Sequence, residues 1–147
     1  MKKSKSKTFS RIATAYHQLK AGGRPRVTGD GSIPTHPVVP VAALSEGDVQ
    51  ELCMDWLKRH RVYGDRNNVG KGTLGKGGFY TFGIVGGGDW IGLLPTGIHI
   101  EIEFKKGIGG RQSKIQQERQ AKIRGNNGIY LIIHGLPELE FLMKGVL

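Results

Sequence analysis

The stretch "GGGDWIGLLPTGIHIEIEFKK", residues 86–106, decides the fold. Its second half predicts a strand with one apolar and one ionisable face, because successive strand side chains point to opposite sides of a sheet. The first half, "DWIGLL", predicts a partner strand, and "PTG" between them provides a three-residue turn that ends in glycine. The alternating residues are Ile98, Ile100, Ile102 and Phe104 on one face, and His99, Glu101, Glu103 and Lys105 on the other.

A hairpin symmetric about Thr96 places Asp89 opposite Glu103, with Lys105 two residues further along the same face. Two facing carboxylates about 5 Å apart repel each other, so they need a cation or a shared proton. Carboxylate oxygens suit hard divalent ions such as Mg²⁺ or Mn²⁺, whereas the five histidines are too scattered for a zinc site. The alternative interpretation is a solvated polar face on which Lys105 neutralises a neighbour.

The stretch "SEGDVQELCMDWLKRHRV", residues 45–62, predicts an amphipathic helix capped by Ser45. Glu46 falls inside the predicted apolar arc and is expected to point inward, although a glutamate in a first turn is also favoured by the helix dipole alone. We expect the single cysteine, Cys53, to be a core residue rather than a nucleophile. The arc consists of Leu52, Trp56, Val49, Cys53 and Leu57.

The net charge of +10 is concentrated near the N-terminus, since residues 1–26 hold eight of the 22 basic side chains and no acid. This arm predicts a polyanionic partner, with a merely solvated tail as the alternative. Gly- and Pro-rich sequence then continues to residue 44, so we divide the 147 residues into an arm and linker (1–44), with a short helix at 11–19, and one domain (45–147). Without a signal peptide, a membrane span or paired cysteines, we expect a cytoplasmic protein.

Residues 70–77, "GKGTLGKG", partly match a phosphate-binding loop, but Gly77 stands where Ser or Thr must reach the metal. We interpret the segment as a flexible basic loop whose Lys71 and Lys76 lie on a phosphate backbone, followed by a strand at "FYTFGIV".

The ordered set "SEGDVQ", "GGGDWIG", "EIEFKK", "GGRQSKIQ" and "GIYLIIHG" resembles the virus-type replication-repair nuclease (VRR-NUC) domain of the PD-(D/E)XK superfamily, in particular its stand-alone phage-like members. The resemblance covers residues 45–135. One departure is Gly88, which replaces the proline that usually precedes the aspartate.

The resemblance implies a catalytic set of Glu46, Asp89, Glu103, Lys105 and Gln116, with Gln117 as the alternative to Gln116 and ordinary helix surface as the alternative for either. It also implies that Asp89, Glu103, the backbone carbonyl of Phe104 and Glu46 hold Mg²⁺ or Mn²⁺. Further candidates for DNA backbone contacts are Lys106, Arg111 and Lys114, with simple solvation as the alternative.

The predicted fold is α/β with a restriction-endonuclease-like core, in which helices at 45–60 and 112–124 flank a mixed sheet of about four strands. The sheet would comprise "FYTFGIV", "DWIGLL", "IHIEIEFK" and "GIYLIIHG", the last as a central strand buried on both faces. We expect a metal-dependent DNA endonuclease, acting as a homodimer on branched DNA such as four-way junctions. The alternative is a nucleic-acid-binding protein that keeps the scaffold without turnover.

Overall fold

A computed structural model describes residues 28–147, so the predictions for the arm and for a helix at 11–19 lie outside the described residues. No helix within residues 28–147 is long and apolar enough to cross a membrane. In chain order, the elements are β1 (Ile33–Pro34), α1 (Glu46–Arg59), β2 (Tyr63–Arg66), β3 (Gly70–Leu74), β4 (Gly78–Phe82), β5 (Trp90–Leu93), β6 (His99–Phe104), β7 (Arg111–Gln112), α2 (Lys114–Gly125), β8 (Ile129–Ile133) and α3 (Leu136–Met143).

Residues 28–147 have a mixed α/β architecture with three helices around a four-stranded sheet of order β2-β5-β6-β8. The first three strands are antiparallel, and β8 is parallel to β6. The predicted hairpin register is confirmed, since Trp90 pairs with Ile102 and Gly92 with Ile100. Its turn depends on Gly97, whose φ of 82° is a left-handed conformation that favours glycine.

Two strand predictions were wrong. The fourth strand of the sheet is β2, "YGDR", whereas "FYTF" pairs with Gly70–Leu74 in a separate hairpin. The predicted loop at 70–77 is therefore mostly a strand, and its glycines leave room for aromatic rings, because a Cβ at Gly72 would collide with Tyr80. The strand at Ile129–Ile133 lies at the edge of the sheet and not at its centre, which β6 occupies.

Helix α1 forms as its sequence predicts, with the Ser45 hydroxyl accepting a hydrogen bond from the backbone N–H of Asp48 at 3.2 Å. Leu52 was wrongly placed in the buried arc, as it is 45% exposed. Cys53 lies in the core, where burial raises the pKa of its thiol to about 12, so it is not a nucleophile at neutral pH. The buried residues of α1 are Val49, Cys53, Trp56 and Leu57.

The two faces of the sheet have different partners. Helices α1 and α3 pack on the face formed by Ile100, Ile102 and Phe104, and this layer is the hydrophobic core. Helix α2 lies over the opposite face, where its side chains bond to Glu101 and Glu103 of β6. Both faces of β6 are therefore buried, and the ionisable groups lie between the sheet and α2.

Residues 28–44, the second half of the predicted linker, run along the folded domain. Strand β1 pairs with β7, and Thr35 belongs to a buried chain of hydrogen bonds. In that chain, His134 bonds through Nε2 to Thr35 Oγ1 and through Nδ1 to Glu138 Oε2, each at 2.9 Å. Glu138 Oε1 also accepts from the backbone N–H of Val38 at 2.8 Å. These contacts fasten the segment to α3.

Candidate active site

A cluster of three side chains joins β6 to the start of α2. Lys105 Nζ donates to Glu103 Oε1 at 2.6 Å and to Gln116 Oε1 at 3.4 Å. The amide nitrogen of Gln116 donates to the same Glu103 oxygen at 2.5 Å. Glu103 and Lys105 are only 3% and 7% exposed, so this ion pair lies almost entirely out of water.

Gln116 is held in place by the helix cap of α2. Its side-chain oxygen accepts from the backbone N–H of Ser113 at 2.9 Å, while the Ser113 hydroxyl accepts from the backbone N–H of Gln116. This reciprocal pair is a capping box. The cap thereby aims the amide of Gln116 at Glu103 and Lys105. Gln117 instead donates to the backbone carbonyls of Gly31 and Gln112, away from the cluster.

Asp89 lies at the entrance to β5, one residue before its first paired residue. Its Oδ2 accepts from the backbone N–H of Phe104 at 2.7 Å, and its carbonyl accepts from the backbone N–H of Asn67 at 2.7 Å. The register that pairs Trp90 with Ile102 brings Asp89 to the level of Glu103. The main chain of Phe104 therefore runs beside Asp89, while its side chain is in the core.

Neighbouring positive groups only partly compensate the negative charges of Asp89 and Glu103. Burial, together with the charges of Asp89 and Glu46, raises the pKa of Glu103 to about 7, although Lys105 opposes the shift. Burial also raises the pKa of Asp89, against the opposing effects of the Phe104 N–H and Lys105. Near neutral pH, Glu103 is thus divided between its neutral and ionised forms, and a further positive charge would favour the ionised one.

Glu46 begins α1, and its side chain is exposed rather than pointing into the core as predicted. Its negative charge is the smallest of the causes that raise the pKa of Glu103.

Asp89 and Glu103 offer oxygen donors of the type that a hard divalent cation prefers. One oxygen of each carboxylate, Asp89 Oδ1 and Glu103 Oε2, accepts no hydrogen bond from residues 28–147. Mg²⁺ usually takes only one or two protein carboxylates and completes its shell with water and substrate oxygens. Within the described part of the chain, no group of three or more His, Cys, Asp or Glu is placed to hold a metal. The fit is therefore to an open site with two carboxylates.

Searches of protein-family models, curated proteins and solved structures found no match to this chain.

Glu101 is a buried residue of the site to which the sequence pattern assigned no role. Its side chain is fully buried and accepts from Arg119 Nη2 at 2.5 Å and from His99 Nε2 at 2.9 Å. Its Oε2 accepts from the backbone N–H of Gly88 at 3.0 Å. Burial alone would raise the pKa of Glu101, but the bonds from Arg119, Gly88 and His99 outweigh burial and lower it. Glu101 is thus a compensated anion that fixes the loop carrying Asp89.

Two features explain why glycine, and not proline or a larger residue, occupies position 88. A Cβ there would lie 2.8 Å from the backbone nitrogen and oxygen of Ile102, closer than Cβ atoms normally approach. Proline would also remove the N–H that Glu101 accepts. The departure from the proline of the resembled motif therefore follows from the buried glutamate two residues before Glu103.

Tyr130 also faces this side of the sheet, since it pairs with Glu101 in the parallel register. Its hydroxyl is buried and has no hydrogen-bond partner among residues 28–147. Burial and the charges of Glu103, Glu101 and Asp89 raise its pKa, so it is a neutral potential donor beside the carboxylates. No pattern in the sequence singles out Tyr130, because it lies in an almost wholly apolar strand.

The predicted DNA-binding residues differ in their availability. Lys71, Lys76, Lys106 and Lys114 are exposed. The guanidinium of Arg111 instead donates to the hydroxyl and carbonyl of Ser32 at 2.9 and 2.7 Å, so it fastens the segment before β1 and is partly committed.

Proposed function

We propose that the chain is a metal-dependent DNA endonuclease with a PD-(D/E)XK-type site, acting in the cytoplasm. The observation that carries the proposal is the pair of undercompensated carboxylates, Asp89 and Glu103, with Lys105 and Gln116 bonded to the second. A purely structural site would be expected to balance its buried charges, as Glu101 is balanced. The charge of Lys105 lowers the pKa of Glu103 but does not offset the effect of burial, so this pKa remains raised.

Asp89 and Glu103 would hold Mg²⁺ or Mn²⁺, with the Phe104 carbonyl and Glu46, the latter through water, as additional ligands. When bound, such an ion lowers the pKa of a water and neutralises charge on phosphoryl oxygens.

In this proposal Lys105 donates hydrogen bonds to the attacking water or to a non-bridging phosphoryl oxygen, and it stabilises the negative charge that develops there. A compact ammonium on a flexible stem suits this role, because it can turn from Glu103 toward the substrate without losing its charge. Gln116 positions Lys105, since its amide contacts both Lys105 and Glu103. The capping box of α2 limits the motion of Gln116, so the geometry is set before substrate binds.

We infer that the substrate is branched DNA, such as a four-way junction, and that two copies of the chain act together. Residues 28–147 contain one candidate site, whereas coordinated cutting of two strands requires two sites in a fixed relation, which a two-fold dimer supplies. Exposed lysines and the basic arm would contact phosphates, so shape rather than base sequence would be recognised. Light scattering that showed a monomer with and without junction DNA would contradict the dimer and leave the nuclease proposal standing.

The test of activity is cleavage of linear duplex, flap and four-way DNA in Mg²⁺ or Mn²⁺ by the full chain. Glu103→Gln and Lys105→Ala should each slow cleavage by about 100-fold or more while DNA binding persists. The matched controls are Glu118→Gln and Lys122→Ala on the exposed surface of α2, which should cleave at the parental rate. Binding without cleavage by the parental protein would instead favour a non-catalytic DNA-binding protein.

A further inference from the structure

The β3–β4 hairpin, Gly70–Phe82, projects from the domain with an unusual amount of apolar surface. No other helix or strand of residues 28–147 packs extensively against it. Phe79 is 78% exposed, and Leu74, Tyr80 and Phe82 are about half exposed. Leu74, Tyr80 and Phe82 share one face of the hairpin, and Phe79 stands alone on the other. Because single exposed aromatic residues are common, the basic side chains beside Phe79 are needed to indicate its partner.

The aromatic side chains on the two faces of the hairpin have different neighbours. Tyr80 and Phe82 lie over Gly72 and Gly70, where added Cβ atoms would collide with their rings. These aromatic residues therefore stabilise the hairpin by covering its glycines. Phe79 is on the other face, opposite Thr73, and contributes nothing to that covering.

On its own face, Phe79 has a cation as a diagonal neighbour. Lys71 pairs with Thr81, two residues along β4 from Phe79, and diagonal neighbours of this kind are about 7–8 Å apart. Lys76 is at the tip, between the two strands, and is exposed. Between Asp65 and Asp89 the chain contains three basic side chains and no acidic one. The charge of the hairpin thus complements a polyanion.

The hairpin is tied to the candidate site by Asn67. Its side-chain amide donates to the carbonyls of Ile84 at 3.0 Å and Gly88 at 3.1 Å, and its side-chain oxygen accepts from the backbone N–H of Ile84. The backbone N–H of Asn67 donates to the carbonyl of Asp89. Both ends of the hairpin are therefore fixed to the loop that carries Asp89, so the base of the hairpin lies next to the candidate site.

We propose that the hairpin binds the nucleic acid beside the cleaved phosphate and that Phe79 stacks on an unpaired base. This inference rests on the proposed nuclease function and adds a substrate class to it. The bases of an intact duplex are stacked on each other, so an aromatic side chain finds an open face only where bases are unpaired. The preferred substrate is then DNA with unpaired bases at a branch or beside a gap, with Lys71 and Lys76 contacting its phosphates.

The experiment measures binding by the full chain in EDTA, which prevents metal-dependent cleavage. The probes are a gapped oligonucleotide duplex with 2-aminopurine among its unpaired bases and a fully paired duplex of equal length. Phe79→Ala should weaken binding to the gapped probe by about 5- to 150-fold, the equivalent of one stacked base, and leave binding to the paired probe unchanged. Quenching of 2-aminopurine on binding should be lost as well.

Two controls separate stacking from other effects. Phe79→Trp should keep affinity and quenching, because tryptophan also presents an aromatic face. Phe141→Ala removes a 56% exposed phenylalanine from α3 and should behave like the parental protein. Equal weakening on both probes, or no weakening, would overturn the proposal. So would dissociation of a parental dimer by Phe79→Ala in light scattering, which would assign the hairpin to contact with a second copy.

Cleavage by the same proteins in Mg²⁺ distinguishes this inference from the function on which it rests. If the parental protein cleaves the gapped probe and Phe79→Ala binds it equally well, the hairpin proposal fails and the nuclease proposal stands. If selective binding depends on Phe79 and the parental protein cleaves no probe, the hairpin proposal stands and the nuclease proposal fails.

Discussion

Replacing Glu103 with glutamine in metal-free protein should change how stability depends on pH. Burial, Asp89 and Glu46 raise the pKa of Glu103 from 4.5 to about 7 in the folded protein. Between these values the folded chain binds a proton that the unfolded chain has released, so the free energy of unfolding falls as pH rises. The contribution is fully present below pH 4.5 and is lost as pH rises through about 7.

The size of the effect follows from the shift. One unit of pKa corresponds to 1.36 kcal/mol, so moving the pKa of Glu103 from 4.5 to about 7 amounts to about 3 kcal/mol between low and high pH. The contribution of Glu101 to stability changes with pH in the opposite direction. Its pKa is lowered, so this contribution is lost only as the pH falls below the ordinary pKa of a glutamate. Measurements above pH 5 therefore separate Glu103 from Glu101.

The assay is urea denaturation in EDTA from pH 5 to pH 8.5 at constant ionic strength, comparing the parental protein with Glu103→Gln. Glutamine has the shape of the protonated acid but cannot ionise, so the parental protein should lose about 2.5 kcal/mol relative to the variant over this range, the rest of the effect lying below pH 5. The two proteins otherwise share the same titratable side chains. Glu118→Gln, on the exposed surface of α2, should show the parental profile.

Addition of Mg²⁺ at pH 8 provides the complementary measurement. An ion that binds only the folded state stabilises it by about 2.7 kcal/mol at 100 times its dissociation constant. The parental protein should gain this stability and Glu103→Gln should gain much less. Parallel pH profiles for the two proteins in EDTA would refute the reasoning, because they would mean that Glu103 has the same pKa in the folded and unfolded states.

Three further predictions concern the surroundings of the site. Gly88→Ala should lower the free energy of unfolding by about 1–3 kcal/mol, because its Cβ would meet the backbone of Ile102 at 2.8 Å, whereas Gly75→Ala has open space and should be neutral in the same urea titration. Arg119→Ala should destabilise the chain by about 3 kcal/mol or more, since it leaves Glu101 buried without its main partner, and adding Glu101→Gln should restore part of the loss in a double-mutant cycle. Deleting residues 1–26 should reduce the salt dependence of duplex binding by about 0.9 in slope per lost phosphate contact, and an unchanged slope would mean that the arm is only solvated.

The elements that are determined by interactions between residues close in sequence could be predicted from the sequence. Alternation and turn length determined the β5–β6 register, and the cap and apolar spacing determined α1. The strand at "YGDR" was missed because it is short, polar and largely exposed, and it is a strand only through its pairing with β5. The glycines of β3 suggested a loop for a similar reason. They belong to a strand because the rings of Tyr80 and Phe82, on the paired strand β4, lie over them.

The candidate site was predictable to the extent that it lies within one hairpin. Asp89, Glu103 and Lys105 are related by register alone, but the partner of Glu101 is 18 residues away on α2. The position of that helix depends on the parallel pairing of β6 with β8, which no local pattern specifies. The bond between His134 and Thr35 spans 99 residues and was unpredictable for the same reason.

The two glutamates of β6 share one face of the sheet but differ in how their charges are compensated. Glu101 and Glu103 are two residues apart and both almost fully buried, yet the pKa of the first is lowered and that of the second is raised. The difference lies in their partners. Glu101 accepts from a guanidinium, an imidazole and a backbone N–H. Glu103 accepts from one ammonium and one neutral amide, and two further carboxylates raise its pKa. Environments that push the pKa values of neighbouring acids apart indicate different roles. Glu101 fixes the backbone at Gly88, and together with the N–H groups of Phe104 and Asn67 it holds Asp89 beside Glu103 despite their like charges.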